Sequence, residues 1–386
     1  MKKKYLLVFV GLILASCTSK EYQQIITAVN SDNPKAVLRN IAKQKGQQYA
    51  ENPHLLVNDI KRIENITKAF ADLRESVIRK WGERDAKEPS AKEYVKYTNN
   101  YQSRAIIDYE KGLINIGTID SKNINKSLKE AIVMTLLMPN DPSSADLFNT
   151  NSIKLGGEPY LYGEVVDNEG QPIRWQWRAN KFADYLLQNS VKTYQLANNK
   201  VAYYVQIPLI KPHEDVRAHK YQALVTKYAK QYQVDAKLIY AIIKTESDFN
   251  QYAVSRSGAI GLMQIMPNTA GTDAYAAIYN KKGKPSREYL FDPANNIQMG
   301  TVYIDILKNR YLKAITNQMS KEYCVISAYN GGAGTVLSTF HTDRNKAMSI
   351  INTRTSSEIY HTLTTQVSSK ETRNYLKKVT NNKKLF

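Results

Sequence analysis

The 386-residue chain is poor in the residues that carry redox and metal chemistry, with two cysteines, Cys17 and Cys324, and five histidines. Once Cys17 is assigned to the leader described below, Cys324 has no partner, which excludes an intrachain disulfide. Its setting, Tyr323-Cys324-Val325-Ile326 with no histidine beside it, suits a packed apolar residue rather than a nucleophile. His54, His213, His219, His341 and His361 are scattered without metal-ligand spacing, and neither a P-loop nor a dinucleotide fingerprint occurs. No metal or cofactor is expected. Internal repeats and low-complexity tracts are absent, and beyond the first residues no apolar run is long enough to cross a bilayer. Acidic residues are also short, 35 against 54 lysines and arginines, leaving a net charge of +19.

What is present begins with a leader. Met1-Lys2-Lys3-Lys4 flanks an apolar run, Tyr5 to Leu14, too short for a permanent membrane helix. It closes on Leu14-Ala15-Ser16-Cys17, the cleavage pattern of bacterial lipoproteins, so residues 1–17 read as a signal peptide and Cys17 as the lipidated new N-terminus. Thr18 follows, and resemblance to enteric lipoproteins implies that the lack of Asp there directs the chain to the outer membrane, facing the periplasm. Residues 18–48 are mostly polar and read as a tether.

A first domain is expected over residues 49–209. Helical spacing runs through Leu55, Leu56, Ile60, Ile63, Ile66, Phe70, Leu73, Val77 and Trp81. Strands are expected at Arg104 to Tyr109 and Leu113 to Ile119 around Glu110-Lys111-Gly112, and a second hairpin at Leu161 to Val166 and Pro172 to Arg178. Helices are expected at Lys126 to Met138 and Asn180 to Asn189, and a last strand at Val201 to Ile207. The second domain, 210–386, reads as successive helices, with Asp235 and Asp292-Pro293 as helix starts. The class is α+β.

Glu246 ends the apolar helical run Leu238 to Ile243, and Ile239, Ile242 and Ile243 share its face at i−7, i−4 and i−3. A carboxyl held against buried isoleucines loses water, which raises its pKa and lets it deliver a proton near neutrality. Alone, such a residue reads first as a helix end facing solvent, since carboxylates are rarely buried, and its companions reverse that reading. Its companions are Ser247, then Gly261-Leu262-Met263-Gln264, Ala328-Tyr329-Asn330-Gly331-Gly332 and Glu371-Thr372-Arg373-Asn374-Tyr375.

Together these segments resemble the four motifs of the soluble-type lytic transglycosylases. Further segments, Lys96-Tyr97-Thr98, Asp141-Pro142-Ser143-Ser144, Gly170 to Trp175 and Phe182 to Leu187, resemble the membrane-bound murein transglycosylase C branch, so the likeness runs from about Tyr97 to Tyr375. The resemblance implies a mixed N-terminal domain followed by a lysozyme-like catalytic domain. It implies cleavage of the β-1,4 bond between MurNAc and GlcNAc in peptidoglycan glycan strands, with 1,6-anhydroMurNAc ends. Glu246 would serve as acid and then base, and the substrate's N-acetyl oxygen would stabilise C1, so no protein nucleophile is required. Asp248, two residues along, points to another face and is expected to satisfy backbone groups beyond the helix end.

Ser255 and Ser257 are candidates to orient Glu246 or the sugar, or are loop hydroxyls facing water. Met263 packs beneath a sugar face or in the core, and Gln264 offers a donor and an acceptor to N-acetyl groups. Asn330 supplies the turn after Tyr329, which is expected to wall the site, with the glycines letting backbone approach the groove. Tyr375 is expected to bond the carboxyl or the attacking oxygen. Ser247 and Gly261 are structural neighbours, and Glu371 and Arg373 read as an ion pair.

Residues 219–386 hold 23 basic and 11 acidic residues, a net +12. In an exported lipoprotein such charge meets anionic lipid and acidic stem peptides rather than nucleic acid, and it either steers the enzyme to murein or is a generally solvated surface. A goose-type lysozyme, which directs water to C1, and a non-catalytic peptidoglycan-binding lipoprotein are the alternatives. For the first domain three roles stay open: extending the glycan groove, which is preferred, binding a partner, or spacing the site from the membrane.

Overall fold

The computed structural model describes residues 68–141, 146–211 and 213–386. The leader with Cys17, the tether, the apolar positions at 55–66 and part of the Asp141 to Ser144 segment lie outside the described residues.

Helix α1 covers residues 68–81. Its Leu73, Val77 and Trp81, spaced at i, i+4 and i+8, bury one stripe against a five-stranded sheet. The strands are β1 (Glu93–Thr98), β2 (Ser103–Asp108), β3 (Leu113–Thr118), β4 (Lys192–Gln195) and β5 (Val201–Pro208), antiparallel in the order β1-β2-β3-β5-β4. Tyr94 pairs with Ile107 and Val95 with Ile106, so alternate positions face opposite sides. Val95, Tyr97, Ile106 and Ala202 meet α1, while Tyr94, Ile107, Ile114, Ile116, Val205 and Ile207 meet helices α2 (Ile124–Leu136) and α3 (Gln176–Asn189). A sheet covered on both faces leaves little polar alternation to read.

The hairpin at Glu110 to Gly112 is present, but the one expected at 161–178 is not: only a single bridge joins Val166 to Pro172, and the chain enters α3 at Gln176. Leu161, Val165 and Ile173 are buried as side chains of turns, so their apolar character reports core rather than strand. Strands β1 and β4 were not expected. Within β1, Lys96 is 3% exposed and donates to the carbonyls of Asp146 and Asn149 at 2.7 and 2.8 Å, and burial pushes its pKa down to about 8.

The remaining helices surround a second core. They are α4 (His213–Lys220), α5 (Gln222–Tyr232), α6 (Ala236–Ser247), α7 (Ala270–Tyr279), α8 (Arg287–Phe291), α9 (Pro293–Ile306), α10 (Gln318–Gly331), α11 (Ala333–Ser338), α12 (Arg344–Thr353), α13 (Ser356–Thr365) and α14 (Lys370–Asn382). Asp235 caps α6 by accepting from the Lys237 amide, and Asp292 caps α9 with Pro293 in the first turn. Helix α6 lies inside this core, with Ile239, Ile242 and Ile243 fully buried.

The two regions meet along the segment that follows α6. Tyr252 belongs to the core under the sheet. The Asn250 side chain donates to the Ala91 carbonyl at 3.1 Å and that of Gln251 to the Asn140 carbonyl at 2.7 Å.

Candidate active site

Glu246 lies in the last turn of α6 and is half-buried. Burial against the α6 core pushes its carboxyl up to about 8, because the charged form loses water. The Tyr375 hydroxyl, donating to Glu246 Oε1 at 2.7 Å, pulls the other way; the negative charge of Glu371 adds to the rise and the positive charge of Lys92 opposes it. Tyr375 is itself buried on α14, and its phenol is held well above its ordinary value by burial first and by the Glu246 charge second. It therefore stays a hydrogen-bond donor throughout the working pH range.

Tyr329, on α10, is buried near enough to Glu246 to feel its charge, but its hydroxyl donates to the Met263 carbonyl at 2.9 Å. Asn330 turns to α14: its amide donates to Glu371 Oε1 at 3.2 Å and its carbonyl oxygen accepts from Thr372 Oγ1 at 2.8 Å. The expected Glu371–Arg373 pair does not form. Residues two apart on a helix face different ways, and Arg373 donates to the Val367 carbonyl instead. Helix α10 runs through Gly331, whose missing side chain admits Thr372 of α14, because a Cβ would lie 2.7 Å from Thr372 Oγ1. The glycine serves helix packing rather than groove access.

The 260–264 turn is built from within. Gly261 has φ +74°, and a Cβ there would meet Asn296 Nδ2 at 2.3 Å and the Leu290 carbonyl at 2.7 Å. Asn296, fully buried on α9, donates to the carbonyls of Ile260 and Leu290 and accepts from the Met263 amide at 2.8 Å. Ser247 donates to the Leu262 carbonyl at 2.7 Å and so buttresses the same turn from α6. Asn296 was missed in the sequence; an asparagine inside an apolar helix, where it lowers helix propensity, was the available signal.

Met263 is 0% exposed and sits over Gly300, where a Cβ would lie 2.3 Å from its sulfur. The structure thus decides for core packing and against a sugar-facing side chain. The Gln264 amide nitrogen is used on the Gly261 carbonyl at 2.9 Å, at a residue held at φ +46°, so its donor is engaged by its own turn. Ser255 and Ser257 are half-buried and bond each other at 2.8 Å, and Ser255 Oγ accepts from the Ala259 amide. Asp248 departs from expectation: its carboxylate is buried and faces Lys244 Nζ at 3.3 Å rather than backbone. Cys324 is buried, and burial raises its thiol to about 12, as for a packed residue.

The N-terminal domain model of membrane-bound lytic murein transglycosylase C matches residues 56–220, and the transglycosylase SLT domain model matches 223–352. A Yersinia pestis (strain Pestoides F) protein named membrane-bound lytic murein transglycosylase C is 49% identical over 342 residues, 88% of this chain and 94% of that protein. A Yersinia pseudotuberculosis serotype O:1b relative of the same name matches to the same extent. The chain belongs to the membrane-bound lytic murein transglycosylase C family. Among solved structures, the 70 kDa soluble lytic transglycosylase of Escherichia coli is similar at 27% identity and a TM-score of 0.32, over 42% of this chain and 23% of that one. An inactive mutant of Pseudomonas aeruginosa lytic transglycosylase Slt matches at 25% identity with the same TM-score and coverage. Family membership rests on the chain-long relatives. The relatives span both the mixed N-terminal region and the helical region; Glu246 lies within the residues matched by the SLT domain model, and Tyr375 lies beyond them on α14. Among the described residues no helix is long and apolar enough to cross a membrane.

Proposed function

We propose that Glu246 is the single acid and base of a murein lytic transglycosylase, the activity that the family name carries. The carrying observation is its half-buried carboxyl, raised to about 8 and bonded to the Tyr375 hydroxyl at 2.7 Å. Protonated Glu246 gives its proton to the glycosidic oxygen, and the C1–O bond between MurNAc and GlcNAc breaks. The N-acetyl carbonyl oxygen of MurNAc bonds C1 to give an oxazolinium. The carboxylate then takes the proton of the C6 hydroxyl, O6 attacks C1, and the oxazolinium opens to the 1,6-anhydro ring. Tyr375 holds the carboxyl oriented in both states. Two other carboxylates near the site, Asp248 and Glu371, are occupied by Lys244 and Asn330, which disfavours a placed base that would direct water to C1 as in a lysozyme. Tyr329 and Gln264, the one residue of the 260–264 turn that is not buried, form the wall and floor on which the sugar rests, with Ser255 and Ser257 on the adjoining loop.

Purified sacculi treated with protein lacking residues 1–17 should release muropeptides one water lighter than those with reducing ends. Reducing ends would make it a lysozyme, and no release from folded protein a binding module.

Cys17 is the lipid site in this reading, and Thr18 after it sends the chain to the outer membrane. Acyl chains contribute about 0.8 kcal/mol per buried methylene, enough for several on one cysteine to hold the chain at a membrane without a spanning helix. Cys17→Ala should abolish labelled palmitate incorporation and release the protein from the outer-membrane fraction. The net positive charge draws the enzyme to acidic stem peptides.

A further inference from the structure

The turn that leaves the catalytic helix is strained and is held from outside. Asp248 and Phe249, consecutive non-glycine residues, have φ of +52° and +62°. Backbone of this kind persists only where its surroundings fix it. The fixing groups come from the region matched by the N-terminal family model. Arg217, on α4 and 0% exposed, donates through Nη1 to the Asp248 carbonyl at 2.9 Å, and through Nη2 to the Tyr109 carbonyl at 3.2 Å. Its Nε faces Glu164 Oε2 at 3.3 Å, a carboxylate also fully buried. The Tyr160 hydroxyl donates to the Phe249 carbonyl at 3.0 Å.

We propose that Arg217 and Tyr160 are positioning residues for Glu246: by tying the two carbonyls of the left-handed turn to the first domain, Tyr160 directly and Arg217 through its bonds to Tyr109 and Glu164, they set where the last turn of α6 presents its carboxyl. Glu164 orients the guanidinium that does this. The assignment rests on Glu246 being the acid and base, and it gives the first domain a part in catalysis that needs no contact with the glycan.

Two variants of the full-length protein, purified in detergent, test it. Tyr160→Phe keeps the ring and removes one donor; Arg217→Lys keeps the charge beside Glu164 and removes the fork. Each is assayed for release of anhydro products from sacculi, with rates expressed per folded molecule. The saturating rate should fall about tenfold, while the half-saturating murein concentration stays within about twofold. The alkaline limb of the rate profile should also move to lower pH as the carboxyl shifts toward water. That limb reports Glu246 among Tyr375 and Glu371 on α14, Tyr329 on α10 and Lys92 ahead of β1, none of which either variant alters. Unchanged saturating rate and limb in the folded variants would overturn the proposal. So would a loss that merely follows the folded fraction. If Arg217→Lys does not fold, Tyr160→Phe alone decides. Wild-type protein that releases no anhydro ends refutes the function instead, so the two failures are distinct.

Discussion

Glu246 and Tyr375 lie 129 residues apart in sequence and share one hydrogen bond, so the strength of this carboxyl depends on a distant phenol. Replacing Glu246 by Gln keeps the shape and removes the proton; initial rates on sacculi should drop by a factor on the order of 10² to 10⁴, with binding retained in a pelleting assay. Tyr375→Phe removes a donor that favours the charged carboxylate. The Glu246 pKa should then rise further and the alkaline limb of the rate profile should move up. A hydrogen bond to a charged group is worth about 1.5–3 kcal/mol, so the rate should fall roughly ten- to a hundredfold. The raised acid also couples to stability. The folded protein keeps a proton that the unfolded chain gives up, so this contribution is complete below the ordinary value of 4.5 and is lost as pH rises through about 8. Across that window the melting temperature of the wild type should fall relative to that of Glu246→Gln; parallel curves would refute the raised value.

At the level of elements, α6 and the 260–264 turn were legible in unequal measure. The apolar face and Asp235 cap of α6 follow from local chemistry: residues three and four apart share a face, and an aspartate before a helix meets free amides. The turn's motif was visible, but its support was not, because Asn296 comes from another helix and acts through three backbone bonds that no spacing encodes. Met263 shows the same limit, since its side chain is assigned to the core only by the gap that Gly300 leaves on α9. Asn296→Ala strands those backbone groups and should cost about 2–4 kcal/mol in urea unfolding, from two or more buried bonds lost at once. Gly261→Ala should also destabilise, by at least about 1 kcal/mol, because a positive φ and three contacts under 3 Å, from Asn296 and the Leu290 carbonyl, oppose the methyl. Strand β1 escaped notice because a lysine at its centre hides an otherwise apolar alternation, and the 161–178 segment misled because buried turns carry the same apolar residues as strands.

At the scale of the molecule, the described residues form a sheet region and a helical region joined at the segment behind α6. Order within each region was readable from periodicity, whereas the junction was not, since Arg217, Tyr160 and Asn250 look in sequence like ordinary surface or core residues. A net +12 over residues 219–386 belongs to this scale too. Raising salt from about 50 to 300 mM shortens the screening length roughly 2.5-fold, to well under the molecule's width, and the half-saturating amount of sacculi should rise with it; a flat response would mean that the charge is only solvation. Helix α14, which brings Tyr375 to the acid, packs on α6 and α10 and is near the end of the chain. A polypeptide made amino end first therefore carries Glu246 long before the phenol that bonds it arrives. The pair at Glu246 is completed late, only when α14 docks on α6 and α10, and a chain stalled or clipped before residue 375 keeps the glutamate without the hydroxyl that holds it.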